Sequence, residues 1–186
     1  MADERNWKVI ESEIVFNTKF FKIRKDNCVT PRGVTIDDYY VQELPDSVLI
    51  FPITINEEVL MVSQYRHGVG RVNLDFPAGR LEKNEKPEDG ALRELLEETG
   101  YKPNRVKYLG KIAMAPDNRT SYMHIVLAED CTLLETQKLD KSEDVEIVKY
   151  PFKLLPELIA KEELNCAFCV AALMKVIQFK KLLTLS

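Results

Sequence analysis

Three glutamates, Glu94, Glu97 and Glu98, fall within a single short run, Arg93-Glu94-Leu95-Leu96-Glu97-Glu98-Thr99-Gly100-Tyr101. On a helix, at about 100° per residue, Glu94 and Glu98 lie one turn apart on the same face, with Glu97 about 60° to the other side of Glu94. The spacing turns three carboxylates towards one patch. Hard divalent cations take oxygen ligands, and Mg²⁺ is commonly held by a few carboxylates together with water and substrate phosphate. The chemistry such a patch suits is metal-assisted attack at a phosphate. A solvated acidic helix face is the competing reading of the same residues.

A helix has to carry that patch, and its ends are written in the chain. Pro87 in the first turn, Glu88 and Asp89 behind it, and Gly100 just past the end bracket about a dozen residues whose apolar side is Ala91, Leu92, Leu95 and Leu96. Upstream, Val48 to Thr54 is almost wholly apolar and suits a strand buried on both faces, and Val59 to Gln64 follows as a second core strand. Downstream come strands near Val106 to Ala113 and Tyr122 to Ala128, a polar stretch from Glu135 to Asp144, a strand from Val145 to Tyr150, and helices near Leu154 to Lys161 and Cys166 to Leu183. Before all of these, Val9 to Phe16, Phe20 to Lys25 and Thr35 to Glu43 read as a small β-meander with turns at Asn17-Thr18, Asp26-Asn27 and Pro31-Arg32-Gly33. The pattern predicts an α/β or α+β sandwich, with residues 1–45 as an N-terminal β extension and 46–186 as the main domain.

Composition narrows the partners. At roughly 150 residues per domain, 186 residues make one domain with a small appendage. Such a domain buries roughly 70% of its unfolded surface, so any metal serves function and not folding. Twenty-six basic against 30 acidic residues give a net charge of −4, which leaves no global basic field to gather nucleic acid. No run approaches the ~18 apolar residues of a membrane span, and Met1-Ala2-Asp3-Glu4-Arg5-Asn6 is too charged to open a signal peptide. The expectation is a cytoplasmic protein with neither membrane nor nucleic acid as partner. Four cysteines, Cys28, Cys131, Cys166 and Cys169, are too few and scattered for a disulfide scaffold. Cys166 and Cys169 form a C-x-x-C, but with no second pair and no preceding strand the expectation is buried helix packing, not zinc or redox chemistry.

The flanking pattern decides between the two readings of the acidic run. Gly79 and Glu85, followed by Arg93, Glu94, Glu97, Glu98 and Gly100, fit G-x5-E-x7-R-E-U-x-E-E-x-G-U, with U a bulky apolar residue, and this spacing resembles the Nudix box. Tyr101 is the one soft fit, aromatic where an aliphatic is usual. Ser63-Gln64-Tyr65-Arg66-His67-Gly68, Phe76-Pro77-Ala78-Gly79, Leu139-Asp140, Glu143 to Glu146, and Pro116 sixteen residues after Gly100 resemble the ADP-ribose pyrophosphatase branch of that family. The similarity runs from about Val48 to Leu173.

The resemblance implies an α/β/α Nudix sandwich with a mixed sheet. It implies hydrolysis of ADP-ribose, or a closely related nucleoside diphosphate sugar, to a nucleoside monophosphate and a sugar phosphate, with Mg²⁺ or Mn²⁺. Glu94, Glu97, Glu98 and the backbone carbonyl of Ala78 would then be metal ligands, Arg93 would orient Glu94 or Glu97, and Gly79 would let the loop carbonyl approach the ion. The resemblance implies a structural role for Glu85 at the helix start, outside the ligand set. Arg66 would grip the diphosphate through its planar guanidinium, and Pro116 would contact substrate. His67 is expected in a loop and His124 in core or sheet surface.

The general base is expected from the loop before Val145, where this branch carries two glutamates two positions apart. Glu143 occupies the second position and Lys141 stands at the first, so Glu143 is the candidate with Asp144 in reserve. The N-terminal meander resembles the extension by which this branch forms swapped homodimers and stacks the base. Phe20, Phe21, Tyr39 and Tyr40 are available there, although alternating strand aromatics are more often core. The alternatives are a Nudix hydrolase of another sugar nucleotide such as GDP-mannose, a nucleotide-binding module that has lost turnover, favoured by Lys141, and an acidic-helix interaction protein without a metal.

Overall fold

A computed structural model describes residues 5–141 and 143–181 and divides into two compact units. The first comprises Met1–Pro45 together with Ala113–Tyr122. Its strands β1 (Lys8–Asn17), β2 (Lys22–Val29) and β3 (Thr35–Glu43) form an antiparallel sheet in the order β1-β2-β3. The meander alone does not complete this unit, because residues 113–122 belong to it as well. The amide of Gln42 donates to the Asn118 carbonyl at 2.8 Å, the amide of Thr120 donates back to Gln42 at 3.2 Å, and the Tyr39 hydroxyl donates to the Asp117 carbonyl.

Two expectations for this unit are corrected. Asp26-Asn27 is not a turn, since β2 runs through it with a register shift between Asp26 and Cys28. The reason is that Asp26 is buried with its charge satisfied: its carboxylate accepts from Ser12 Oγ at 2.6 Å and from Arg24 Nε at 2.8 Å. Nor are the aromatics uniformly core, because Phe20 and Tyr40 are exposed. A three-stranded sheet has two faces and no second layer of its own, and all ten residues of β1 are exposed.

The second unit is an eight-stranded mixed sheet whose spine runs β11-β5-β4-β10-β8. Strands β4 (Ser47–Thr54) and β10 (Tyr122–Leu133) are parallel, and the remaining pairings are antiparallel. β4 and β5 (Glu58–Arg66) pair at Ile53 and Val59, then part. Two short strands that the sequence reading missed fill the gap: β6 (Arg71–Asp75) pairs with β5, and β7 (Ala78–Arg80) pairs with β4. β7 has only three residues and β8 (Tyr101–Lys102) only two, too short for any period-2 pattern to register. β9 (Arg105–Ala113) and β11 (Val145–Pro151) complete the sheet.

β4 is buried along nearly its whole length because it is covered on both sides. Val48 and Ile50 pack with Ala91 and Leu95 of α1 (Pro87–Thr99). Phe51, one residue out of phase, meets the Phe76 ring at 4.6 Å. The other helices are α2 (Leu155–Ala160), preceded by a single 3₁₀ turn at Phe152–Leu154, and α3 (Ala167–Phe179). α3 also packs on β4, which completes the α/β/α layering. The expected extension of this last helix to Leu183 is corrected, because the helix ends at Phe179 with Lys180 and Lys181 in a turn and Lys181 at φ 54°; residues 182 and 183 lie outside the described residues.

Candidate active site

The site is built where the split in the sheet meets α1. Pro87 opens that helix, Glu88 and Asp89 sit in its first turn, and Gly100 closes it in the left-handed region at φ 72°, its amide donating to the Leu96 carbonyl at 2.8 Å. Ala91 and Leu95 are buried on the sheet, so the helix is held at one rotation. Glu94 and Glu98 thereby face β7. The contact is so close that a Cβ on Gly79 would lie 1.9 Å from the Glu94 carboxyl carbon, and the Ala78 amide donates to Glu98 Oε2 at 3.1 Å.

Arg93 organises the acidic run. Its Nη1 donates to Glu94 Oε1 at 2.7 Å and to Glu97 Oε2 at 3.2 Å, while Nε and Nη2 fork onto the two oxygens of Glu85, each at 3.0 Å. The fork is a planar, charge-assisted match, and it holds the Glu85 carboxyl below the usual range. Glu85 also accepts the Glu82 amide at 2.9 Å. It is therefore a structural tie between the loop and the helix.

Glu98 is only 6% exposed, and burial pushes its carboxyl up to about 8, against the Ala78 hydrogen bond and with the charges of Glu94 and Glu143 adding to the rise. Glu94 is raised for the same leading reason, with Arg93 opposing and the charges of Glu97 and Glu143 adding. Glu143 is thus close enough for its charge to be felt by both. Its own carboxylate accepts the Asp140 amide at 2.9 Å, and the Glu143 amide donates to the Asp140 carbonyl at 2.9 Å, which fixes the loop before β11. Arg66, at the end of β5, donates through Nε to Asp75 Oδ2 at 2.9 Å.

The other expected residues are less closely drawn in. Glu97 leans on Arg93, and the oxygens of Glu94, Glu97 and Glu98 do not all come within 4.8 Å of one another. Pro116 is an exposed residue of the first unit, in a turn closed by the Asn118 amide on the Ala115 carbonyl at 3.1 Å. His67 is exposed, and His124 is tied by its ring nitrogens to Asp46 at 3.0 Å and to the Tyr108 hydroxyl at 2.9 Å. Sequence reasoning missed Asp75, which anchors Arg66, and Gln137, whose amide donates to the Glu98 and Val145 carbonyls at 2.6 and 3.2 Å. Only the apolar neighbours of Asp75 in Leu74-Asp75-Phe76 hinted that its carboxylate is buried and so needs a cation.

A family model described as the NUDIX domain matches residues 43–165, and one described as the nucleoside diphosphate sugar hydrolase N-terminal domain matches residues 7–42. The chain belongs to the Nudix hydrolase family. It is 31% identical to an ADP-ribose pyrophosphatase of Bacillus subtilis over 84% of each chain. It is likewise 31% identical to the ADP compounds hydrolase NudE of Escherichia coli, over 93% of this chain and 92% of the relative. A solved ADP compounds hydrolase superimposes with a TM-score of 0.84 at 26% identity, covering 97% of both chains.

Nudix hydrolases in general use divalent metal ions. The donor set fits such an ion: a buried and a partly buried carboxylate on one helix face repel each other and a third acid nearby, and a cation relieves that repulsion where a proton otherwise must.

Proposed function

We propose that this Nudix hydrolase cleaves the diphosphate of ADP-ribose or a closely related ADP-sugar, giving AMP and a sugar phosphate. One observation carries the reading: Glu98, buried, and Glu94, partly buried, both with raised carboxyls, face the Ala78-Gly79 backbone across one helix turn. The names of the two relatives and the N-terminal family match support an ADP-linked sugar as the substrate.

In this reading Glu94, Glu97, Glu98 and the Ala78 carbonyl hold the metal, Mg²⁺ or Mn²⁺, which when bound neutralises phosphate charge and acidifies water. Arg93 keeps Glu94 and Glu97 aimed. Arg66 binds the diphosphate, with Asp75 setting the plane of its guanidinium. Glu143 accepts the proton of the attacking water as the oxygen bonds to one phosphorus and the bridging P–O bond breaks. The same reading makes the chain a homodimer through its first unit. The exposure of Trp7, Val9, Ile10, Ile14, Val15 and Phe16 supports this, since an apolar strip of that length favours burial against another chain.

The test is a panel of ADP-ribose, other ADP-sugars, GDP-mannose and UDP-glucose at fixed Mg²⁺, with products separated by chromatography. AMP from ADP-sugars at a kcat/KM at least about tenfold above the others is expected. Preferential cleavage of GDP-mannose overturns the substrate class, and binding without turnover overturns the enzyme reading in favour of a nucleotide-binding module.

A further inference from the structure

The expected buried helix packing of the C-x-x-C holds for Cys169 but not for Cys166. Cys166 is the residue that caps the N-terminus of α3 and is only partly buried, whereas Cys169, three residues on, is 1% exposed. Their sulfurs and a carboxylate oxygen of Asp75 lie within 4.8 Å of one another. Cys166, at the N-cap position, keeps extended backbone (φ −69°, ψ 121°) outside the helical turn, and because a disulfide joins Cβ atoms about 3.5–4.5 Å apart, closure is set by the backbone at that N-cap.

We propose that Cys166 and Cys169 form a redox-active dithiol that closes reversibly to a disulfide by exchange with low-molecular-weight disulfides.

The two thiols are differentiated as such a pair requires. The neighbouring Cys169 side chain does most to bring the Cys166 thiol down to about 6 despite its partial burial, with the amides of Cys169 and Phe168 adding to it and the charge of Asp75 opposing. The same contact, with burial, raises Cys169 well above the ordinary thiol range. Cys166 is therefore the accessible nucleophile, and Cys169 is the protected resolving thiol. The Cys169 thiol also lies 3.8 Å from Asp75 Oδ1, and the Phe76 amide donates to its sulfur at 3.4 Å.

The exchange balances without a further reactant. The Cys166 thiolate attacks one sulfur of the disulfide RSSR, forming a mixed disulfide and releasing RS⁻. Cys169 gives its proton to the RS⁻ released in that first step and attacks Cys166 Sγ, expelling the second RS⁻. Two protein thiols are oxidised, and one external disulfide is reduced to two thiols. A cation bound by the same three residues is the less favourable use, because Asp75 Oδ2 is already held by Arg66 at 2.9 Å, leaving a shared carboxylate and a neighbouring guanidinium charge.

The test equilibrates the full chain with glutathione buffers from fully reduced to fully oxidised, then denatures it, alkylates free thiols and maps them by mass spectrometry. Oxidation is expected to remove two of the four alkylatable thiols, with the disulfide on Cys166–Cys169 and full reversal by dithiothreitol. In the native reduced chain Cys166 should react with iodoacetamide at least about fivefold faster than Cys28 or Cys131. Cys169→Ser should trap one glutathione on Cys166, and Cys166→Ser should trap none. Four free thiols in every buffer, or glutathione carried on Cys28 or Cys131 with Cys166 untouched, would overturn the proposal. So would one tightly bound zinc per chain that shields both thiols from alkylation.

Discussion

At Gly79 a single missing Cβ decides whether the Glu94 carboxylate can sit where it does. An alanine there would place its Cβ 1.9 Å from the Glu94 carboxyl carbon, but what it strikes is the end of a flexible side chain that can swing away. Gly79→Ala is therefore expected to leave thermal unfolding within about 1 kcal/mol of the parent while lowering kcat at least about tenfold by displacing one acid of the site. Unchanged turnover would take Glu94 out of the mechanism. The loop before β11 makes a second, sharper comparison. Glu143→Gln keeps the Asp140 contact but removes the proton acceptor, so turnover should fall by the ~10²- to 10⁴-fold typical of a lost general base, with KM little changed. Lys141→Glu should matter much less. A nearly silent Glu143→Gln together with a gain from Lys141→Glu would assign the base elsewhere.

At the scale of the element, α1 is both stabilised and stressed in its last turn. Gly100 adopts φ 72°, and a Cβ there would meet the Glu135 backbone oxygen at 2.0 Å, an atom that cannot move without shifting the chain. In contrast to Gly79→Ala, Gly100→Ala should cost about 1–3 kcal/mol and lower the melting temperature by several degrees in calorimetry. The stress comes from Glu98, whose carboxyl is raised from 4.5 to about 8. Between those pH values the unfolded chain has released a proton that the folded chain still holds. Without metal, stability therefore falls as pH rises through that window. Melting curves in chelator should show this decline, Glu98→Gln should flatten it, and Mg²⁺ should restore stability most strongly near its upper end, because the cation replaces the proton. A midpoint that rises with pH from 5 to 8 in chelator would contradict the assignment.

For the whole molecule, the question is what covers the first unit. A sheet of three strands buries little on its own, and β1 is exposed along its length, so folding alone leaves this apolar surface wet. Sedimentation should find the full chain dimeric. Deleting residues 1–43 should give monomers or aggregates with a raised KM, and a soluble monomer with parental kinetics would show that the unit serves neither assembly nor substrate. No helix among the described residues is long and apolar enough to cross a membrane, so an apolar helical span does not compete for this role.

Periodicity and punctuation made the main strands and α1 legible, because Pro87, Gly100 and a fully apolar β4 act locally or through a simple in-and-out pattern. The family was legible too, since one helix and one glycine loop carry the acidic run in a register the chain alone specifies. Tertiary structure decided what depends on residues far apart in sequence. Asp26 became part of a strand because Ser12, fourteen residues away, satisfies it, and β6 and β7 formed where β4 and β5 part on the N-terminal side of Ile53. Residues 113–122 joined the first unit through hydrogen bonds to Gln42. Cys166 and Cys169 gained unequal environments when Asp75 and the Phe76 amide, more than ninety residues earlier in the chain, were brought to the start of α3. Burial and a distant partner set the charge and proton affinity of a side chain, and neither is a property of the residues beside it in sequence.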